Sequence, residues 1–253
     1  MSTPTKDPWA RVRAATPARV GLGRSGTALL PTKHSLEFQY AHARARDAVH
    51  KQVDLERLED DLAPLEVVRV NSAAADRATY LRRPDLGRRL DEGSRISPEI
   101  SNAPDIVFVI ADGLSADAVQ THAAAVTRAA IEALQEFTIA PVFLASQARV
   151  AIGDEIGAML GARLVILLVG ERPGLTVADS LGAYITYRPE VGRRDSERNC
   201  ISNIHGQGGL DYATAARKIA WLTREALRIG VTGTALKEDA EVLGDTAVDM
   251  LPD

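Results

Sequence analysis

Only one cysteine, Cys200, occurs among the 253 residues. A lone thiol forms no internal disulfide and no multi-cysteine zinc site, which points to a reducing, cytosolic compartment. Also missing is any apolar run approaching the roughly 20 residues that a membrane span needs. The opening MSTPTKDPWARVR lacks the apolar stretch of a secretory signal. The expectation is a soluble, cytoplasmic protein without a membrane partner. Excess charge of one sign is lacking too: the formal net charge is −4, which gives no general attraction to nucleic acid. The charge is uneven, however. Residues 1–33 hold Lys6, Arg11, Arg13, Arg19, Arg24 and Lys33 against Asp7 alone, and the tail after Leu236 is mostly acidic. Such ends either touch partners or stay solvated.

What is present is a 45% hydrophobic chain, long enough to bury a core. The first third reads as polar helix. SLEFQYAHARARDAVHKQVD is rich in Ala, Arg and Glu, with Pro31 just upstream where a helix would begin. Its many alanines suit either a docking helix or plain helix propensity. PLEVVRV at 64–70 reads as a short strand, and RRPDLGRRLDEGSRISPEISNAP as a connecting region. From Pro104 the pattern changes. DIVFVIADG, PVFLASQ, RLVILLVGE and AYITYRP are short aliphatic runs, the first three separated by helical stretches, as strands buried on both faces require. A helix starting at Ser115 places Val119, His122, Val126, Ala130 and Phe137 on one stripe. A last helix does the same with Tyr212, Ala216, Ile219 and Thr223. The expected fold is α/β: a doubly wound, mostly parallel, Rossmann-like sheet over 105–233, a mainly helical docking region over 1–104 and an acidic tail over 234–253.

Several motifs weaken on inspection. GLGRSG at 21–26 matches the dinucleotide pattern, but only the short PARV precedes it and Pro31 interrupts the helix the motif requires. His34, His42 and His50 recur every eight residues, which on a helix turns each about 80° off the previous face, so they do not converge on a metal. His122 sits on an apolar stripe and reads as a core histidine. VIADG at 109–113 ends a strand with an aspartate but brings no further ligand set, and reads as an Asp-Gly turn.

Ligands of open parallel sheets bind beyond the carboxyl ends of the strands. Four loops qualify: ADGLS, SQARV, GERPG, and NCISNIHGQGG before the last helix. Together they offer a glycine-lined rim with Ser146, Val150, Glu171, Cys200, Asn203 and His205. A Cys200–His205 nucleophile pair is conceivable, but in an extended segment residues 200 and 205 point to opposite sides. A small space-filling side chain is the plainer reading of Cys200.

Five ordered blocks, DPWARVRAATPARVGLGRSG, EFQYAHARARDAV, DIVFVIADGLSA, LLVGERPGL and CISNIHGQG, resemble the small (light) subunit family of ethanolamine ammonia-lyase. The resemblance covers most of the chain and leaves out the tail after Thr234. It implies a subunit of an adenosylcobalamin enzyme, a carbon–nitrogen lyase that splits ethanolamine into acetaldehyde and ammonia by radical chemistry. It implies a large barrel subunit as partner within a higher hetero-oligomer, the substrate site on that partner, and cobalamin held between the two. By local match the cofactor contacts are Val150, Glu171 and Cys200, with no catalytic residue and no metal ligand on this chain. The D-x-H-x-x-G motif is absent, so cobalt is expected to keep its dimethylbenzimidazole ligand. In some members an N-terminal extension addresses the enzyme to a bacterial microcompartment; the short N-terminus here leaves that address open. The competing readings are a stand-alone Cys200/His205 hydrolase and a non-catalytic scaffold subunit.

Overall fold

The structure is a computed structural model, and it describes residues 9–16, 20–22, 30–94 and 103–237. Residues 23–26 of GLGRSG, the 95–102 part of the connecting region and the acidic tail from 238 lie outside the described residues.

A short helix α1 (Ala10–Ala15) precedes α2 (Thr32–His50). Pro31 at φ −57° opens α2 where a missing N–H costs nothing. Only Ala41 and Ala48 of α2 are buried, whereas Leu36, Phe38 and Tyr40 are 59%, 44% and 67% exposed. Helix α3 (Leu55–Leu62) is capped by Asp54, which accepts a hydrogen bond from the Arg57 N–H at 3.1 Å. Its Leu58 and Leu62, one turn apart, are buried. Strand β1 (Val67–Asn71) follows, then α4 (Arg77–Arg82), capped by Asp76.

Strand β2 (Ile106–Ala111) is buried throughout. Ser115 caps α5 (Ala116–Ala118), accepting from the Ala118 N–H at 3.2 Å. This helix runs through a π-helical turn, Val119–Ala123, into α6 (Ala124–Glu132). Val119, His122, Val126 and Ala130 are buried as the stripe predicts. Phe137 lies past the helix end and packs on the core from the following turn. Strand β3 (Val142–Ser146), helix α7 (Ile152–Leu160) and strand β4 (Leu164–Gly170) continue the alternation. Then come β5 (Leu181–Tyr187), β6 (Asn199–Ile204) and α8 (Tyr212–Ile229), the last ended by Gly230 at φ +75°.

The six strands form one sheet in the order β1-β3-β2-β4-β5-β6. The β1–β3, β3–β2 and β2–β4 pairs are parallel; β4–β5 and β5–β6 are antiparallel. A mainly helical N-terminal region thus leads into a mostly parallel sheet. Because side chains alternate along a strand, β2 feeds two cores. Ile106, Phe108 and Ile110 meet Leu58 and Leu62 of α3, Val126 and Ala130 of α6, and Ala215 and Ile219 of α8. Val107, Val109 and Ala111 meet Ile152 and Ile156 of α7 on the opposite face.

One sequence expectation is corrected. The NCISNIHGQGG segment is not all loop: its first six residues are β6, an edge strand whose burial is irregular because only one neighbour flanks it. Across Pro104, β1 is hydrogen-bonded to β3 and α3 packs beneath the sheet.

Candidate cofactor-facing site

The carboxyl ends of β2, β3 and β4 converge on a cleft of about 450 Å³ whose lining includes Tyr80, Gly113, Val150, Gly170, Glu171 and Tyr184. Two glycines make the convergence possible. Gly113 has φ +59°, and a Cβ there would stand 2.3 Å from the Gly170 carbonyl oxygen. A Cβ on Gly170 would stand 2.1 Å from the Ser115 carbonyl oxygen. No side chain fits at either contact, so the ends of β2 and β4 close into a continuous floor.

Asp112 holds the β3 side of this floor. Its buried carboxylate accepts the Gln147 N–H at 2.9 Å and the Ala148 N–H at 2.8 Å, and Arg77 Nη1 lies 3.5 Å away. Burial pushes the Asp112 carboxyl above its ordinary range, against the N–H bonds and Arg77, which draw it down. The loop so pinned turns through Gln147 at φ +52° and delivers Arg149 and Val150 to the cleft. Arg77 also donates to the carbonyls of Gly113 at 2.8 Å and Val49 at 2.7 Å, tying the end of α2 to the same corner. Tyr80 contacts both neighbouring guanidinium groups, with Arg77 4.8 Å and Arg149 4.6 Å from its ring centre. Burial, reinforced by Asp112, pushes its phenol up to about 12. The sequence reading of Asp112 as a turn residue holds but is incomplete. Its partners are backbone N–H groups, which carry no sequence signal, and Tyr80 and Arg77 come from the stretch 71–81, to which the sequence pattern assigns no element.

Glu171 leans the other way, toward β5 and β6. Its carboxylate accepts the Ser180 hydroxyl at 2.6 Å, the Ser202 hydroxyl, and the Asn203 N–H at 3.5 Å. Gly182 leaves room for it, since a Cβ there would lie 2.9 Å from Oε1. Cys200 stands on β6 opposite Tyr184 of β5. Val150 and Glu171 therefore share the cleft, while Cys200 touches it through Tyr184. Although Cys200 is exposed at the surface, the crowding around its sulfur pushes the thiol above its ordinary range. The Tyr184 hydroxyl opposes that rise and the Glu171 charge adds to it. A thiol so disposed is a poor nucleophile.

His205 is buried and its Nδ1 accepts from the Gln207 N–H at 3.1 Å; no hydrogen bond joins it to Cys200. Ser146 and Asn203, also expected on the rim, are outside the cleft lining, though the Asn203 N–H reaches Glu171. His34 pairs with Glu37 at 3.1 Å, and His42 stacks on Phe38. Among the described residues no cluster of three or more His, Cys, Asp or Glu is placed to hold a metal ion, and no helix is long and apolar enough to cross a membrane.

His122 is a core histidine with one partner. Its Nδ1 lies 2.8 Å from the Tyr212 hydroxyl, while Nε2 is 3.8 Å from Asp179 and makes no hydrogen bond. Burial lowers its pKa, Asp179 opposes that shift and the nearby His205 adds to it. A histidine depressed in the folded state favours folding when neutral. Its contribution is present above the unfolded value of about 6.5 and is lost as pH falls toward the folded value. Urea midpoints measured from pH 7.5 to 5 should therefore decline, and the decline should flatten in His122→Gln. An unchanged slope would remove His122 as its source.

The chain matches the family model described as "Ethanolamine ammonia-lyase light chain (EutC)" over residues 6–237. It is 52% identical to an "Ethanolamine ammonia-lyase small subunit" of Bradyrhizobium diazoefficiens, covering 95% of this chain and 95% of that protein. A protein of the same name from Xanthomonas campestris pv. campestris is 50% identical, over 100% of this chain and 97% of its own length. One from Azotobacter vinelandii is 49% identical, over 95% and 92%. Similarity at this level runs through the exposed helix α2, the sheet and the strand-end cleft alike, and the chain belongs to the ethanolamine ammonia-lyase light-chain family.

Proposed function

We propose that the chain is the small subunit of adenosylcobalamin-dependent ethanolamine ammonia-lyase and that Val150, Glu171 and Cys200 form its cofactor-facing rim. The observation that carries this reading is that Val150 and Glu171, 21 positions apart in the sequence, line one cleft at the strand ends of a light-chain family member. The residues suit a corrinoid. Gly113 and Gly170 offer bare backbone to a flat ring, Val150 an apolar contact, and the Glu171 carboxylate acceptor sites for amide N–H groups. A cleft of about 450 Å³ seats an edge of so large a molecule and leaves the rest to another surface.

When bound, the cofactor supplies the radical chemistry and the protein supplies binding, orientation and shielding. Glu171 is held by Ser180 and Ser202 before any ligand arrives, so its orientation costs little on binding. Cys200 and Tyr184 close the β5–β6 side as neutral groups. The substrate site belongs on the large subunit. The exposed Trp9, Leu36, Phe38 and Tyr40 in the helical N-terminal region are the surface proposed to dock there. The doubly wound, Rossmann-like reading of the sheet rests on helices covering both faces. A higher hetero-oligomer in the cytoplasm, with a microcompartment as a further address, follows from the family.

Titrating adenosylcobalamin against complexes reconstituted with the large subunit tests the reading. Glu171→Ala should raise the apparent cofactor constant about 5- to 150-fold, the equivalent of ~1–3 kcal/mol for unpaired polar groups, with a nearly normal maximal rate. Cys200→Ser should bind slightly more weakly and keep turning over. Abolished turnover in Cys200→Ser at saturating cofactor would favour the nucleophile, and an unchanged constant in Glu171→Ala would take that residue out of the site.

A further inference from the structure

The cleft is chemically lopsided. Its β5–β6 end presents Glu171 with its hydroxyl partners, all arranged around acceptor oxygens. Its β3 end presents Arg149, and Arg172, the residue after Glu171, also lines the cleft just past the end of β4. Neighbouring strands lie about 4.8 Å apart, so the two steps from β3 to β4, the strand that Glu171 follows, set the two ends about 10 Å apart. Arg149 and Glu171 share no ion pair or hydrogen bond; the Glu171 carboxylate is engaged by Ser180 and Ser202 instead.

Neither arginine has a carboxylate to serve. Arg149 stacks on Tyr80, donates from Nη2 to the Tyr80 carbonyl at 3.3 Å, and keeps a buried Nε with no hydrogen-bond partner. Arg172 is exposed and has no hydrogen-bond or ion-pair partner among the described residues. Arg149 is nonetheless expensively placed. The loop that carries it is pinned by the two N–H bonds to Asp112, and its guanidinium is held flat against a ring already held by Arg77. A guanidinium fixed in a plane, with donors left over and facing a cleft, is the arrangement that receives a phosphate oxygen pair.

We propose that Arg149, assisted by Arg172, is the anion-binding end of the cleft and takes the phosphodiester in the nucleotide tail of cobalamin. This rests on the cofactor reading above and adds a direction to it. The corrin amides go to the Glu171 end and the phosphodiester to the β3 end, so the tail runs from β4 toward β3. Arg149 and Arg172 are binding residues here and take no part in bond making or breaking.

The two groups can be separated by ligand rather than by activity. Cobinamide carries the corrin ring and its amides but lacks the phosphodiester tail. Binding of cyanocobalamin and of dicyanocobinamide, read from the visible spectrum after equilibrium dialysis against the full chain in complex with the large subunit, forms a cycle with the side chains. Arg149→Met preserves the packing on Tyr80; Arg172→Ala alters only a surface group. Each should weaken cyanocobalamin about ten- to hundredfold and leave dicyanocobinamide within about twofold, as for loss of a hydrogen bond to a charged group. Glu171→Gln should weaken both ligands alike. Inorganic phosphate should compete with cyanocobalamin and not with dicyanocobinamide. Equal losses for both corrinoids in Arg149→Met and Arg172→Ala would overturn the assignment and make the arginines packing groups. Phosphate displacing both corrinoids alike would overturn it in favour of another anion. A wild-type complex that binds neither corrinoid would instead sink the cofactor reading itself.

Discussion

Asp112→Ala is expected to lower the unfolding free energy by about 3–5 kcal/mol, the range for leaving a buried charge without its partner. The substitution strands Arg77, whose side chain is 7% exposed, and frees the N–H groups of Gln147 and Ala148 at once. Arg77 would retain its bonds to Val49 and Gly113, which keeps the loss near the lower end of that range. Asp112→Asn should cost less, because its one carbonyl oxygen still accepts an N–H while its amide faces the other donor. Urea unfolding by tryptophan fluorescence and circular dichroism measures both. Hydrogen exchange at Gln147 and Ala148 should rise more than in the strands, since those amides lose their acceptors directly. A cost below about 1 kcal/mol for Asp112→Ala would mean that the Asp112 clasp does not hold the β2–β3 corner together.

A loss of similar size is expected for Arg198→Met. Arg198 reaches from the segment entering β6 to Asp154 of α7 in a two-pronged pair, at 2.5 Å and 2.6 Å, with the Thr186 hydroxyl oxygen at 2.9 Å as a third acceptor. The two side chains are 1% and 3% exposed. Asp154 and Asp195 keep the guanidinium charged against the cost of its burial. Methionine fills the space but leaves Asp154 as a lone buried carboxylate, a penalty of about 3–5 kcal/mol. The double replacement Arg198→Met with Asp154→Leu should recover most of that loss, because an apolar pair of similar volume often matches a buried ion pair. Denaturation midpoints of the two singles and the double close the cycle. A double variant as unstable as Arg198→Met alone would locate the cost in lost packing, not in the orphaned charge.

The strands legible in the sequence are those buried on both faces. DIVFVIADG, PVFLASQ and RLVILLVGE are unbroken aliphatic runs because no residue of β2, nearly none of β3 and none of β4 meets solvent. β6 was not legible as a strand. Cys200, Ser202 and Asn203 are exposed at a sheet edge, and polar residues there look the same as a loop. The reversal of direction at β5 leaves no trace in composition, since an internal antiparallel strand is as apolar as a parallel one. Strand order alone points to the carboxyl ends of the strands, and of the three residues the family resemblance names there, Val150 and Glu171 line the cleft while Cys200 does not. Neither route reached Asp112, Tyr80 or Arg149, whose roles depend on backbone donors and on a stack assembled from distant segments.

The position of β1 at the end of the sheet also has a meaning in time. Among the described residues its one strand neighbour is β3, and Val67 pairs with Val142, 75 residues further along. At about 5–20 residues per second, a ribosome needs roughly 4–15 s to make that stretch. For that interval β1 has emerged with nothing to bond to, and Leu58 and Leu62 of α3 have no sheet to lie under. The exposed α2 has appeared earlier still. The nascent chain thus exposes Leu58, Leu62 and the unpaired edge of β1 well before the strand that covers them is made. Pairing across so long a separation is slow to form, so the N-terminal third waits uncovered through that interval.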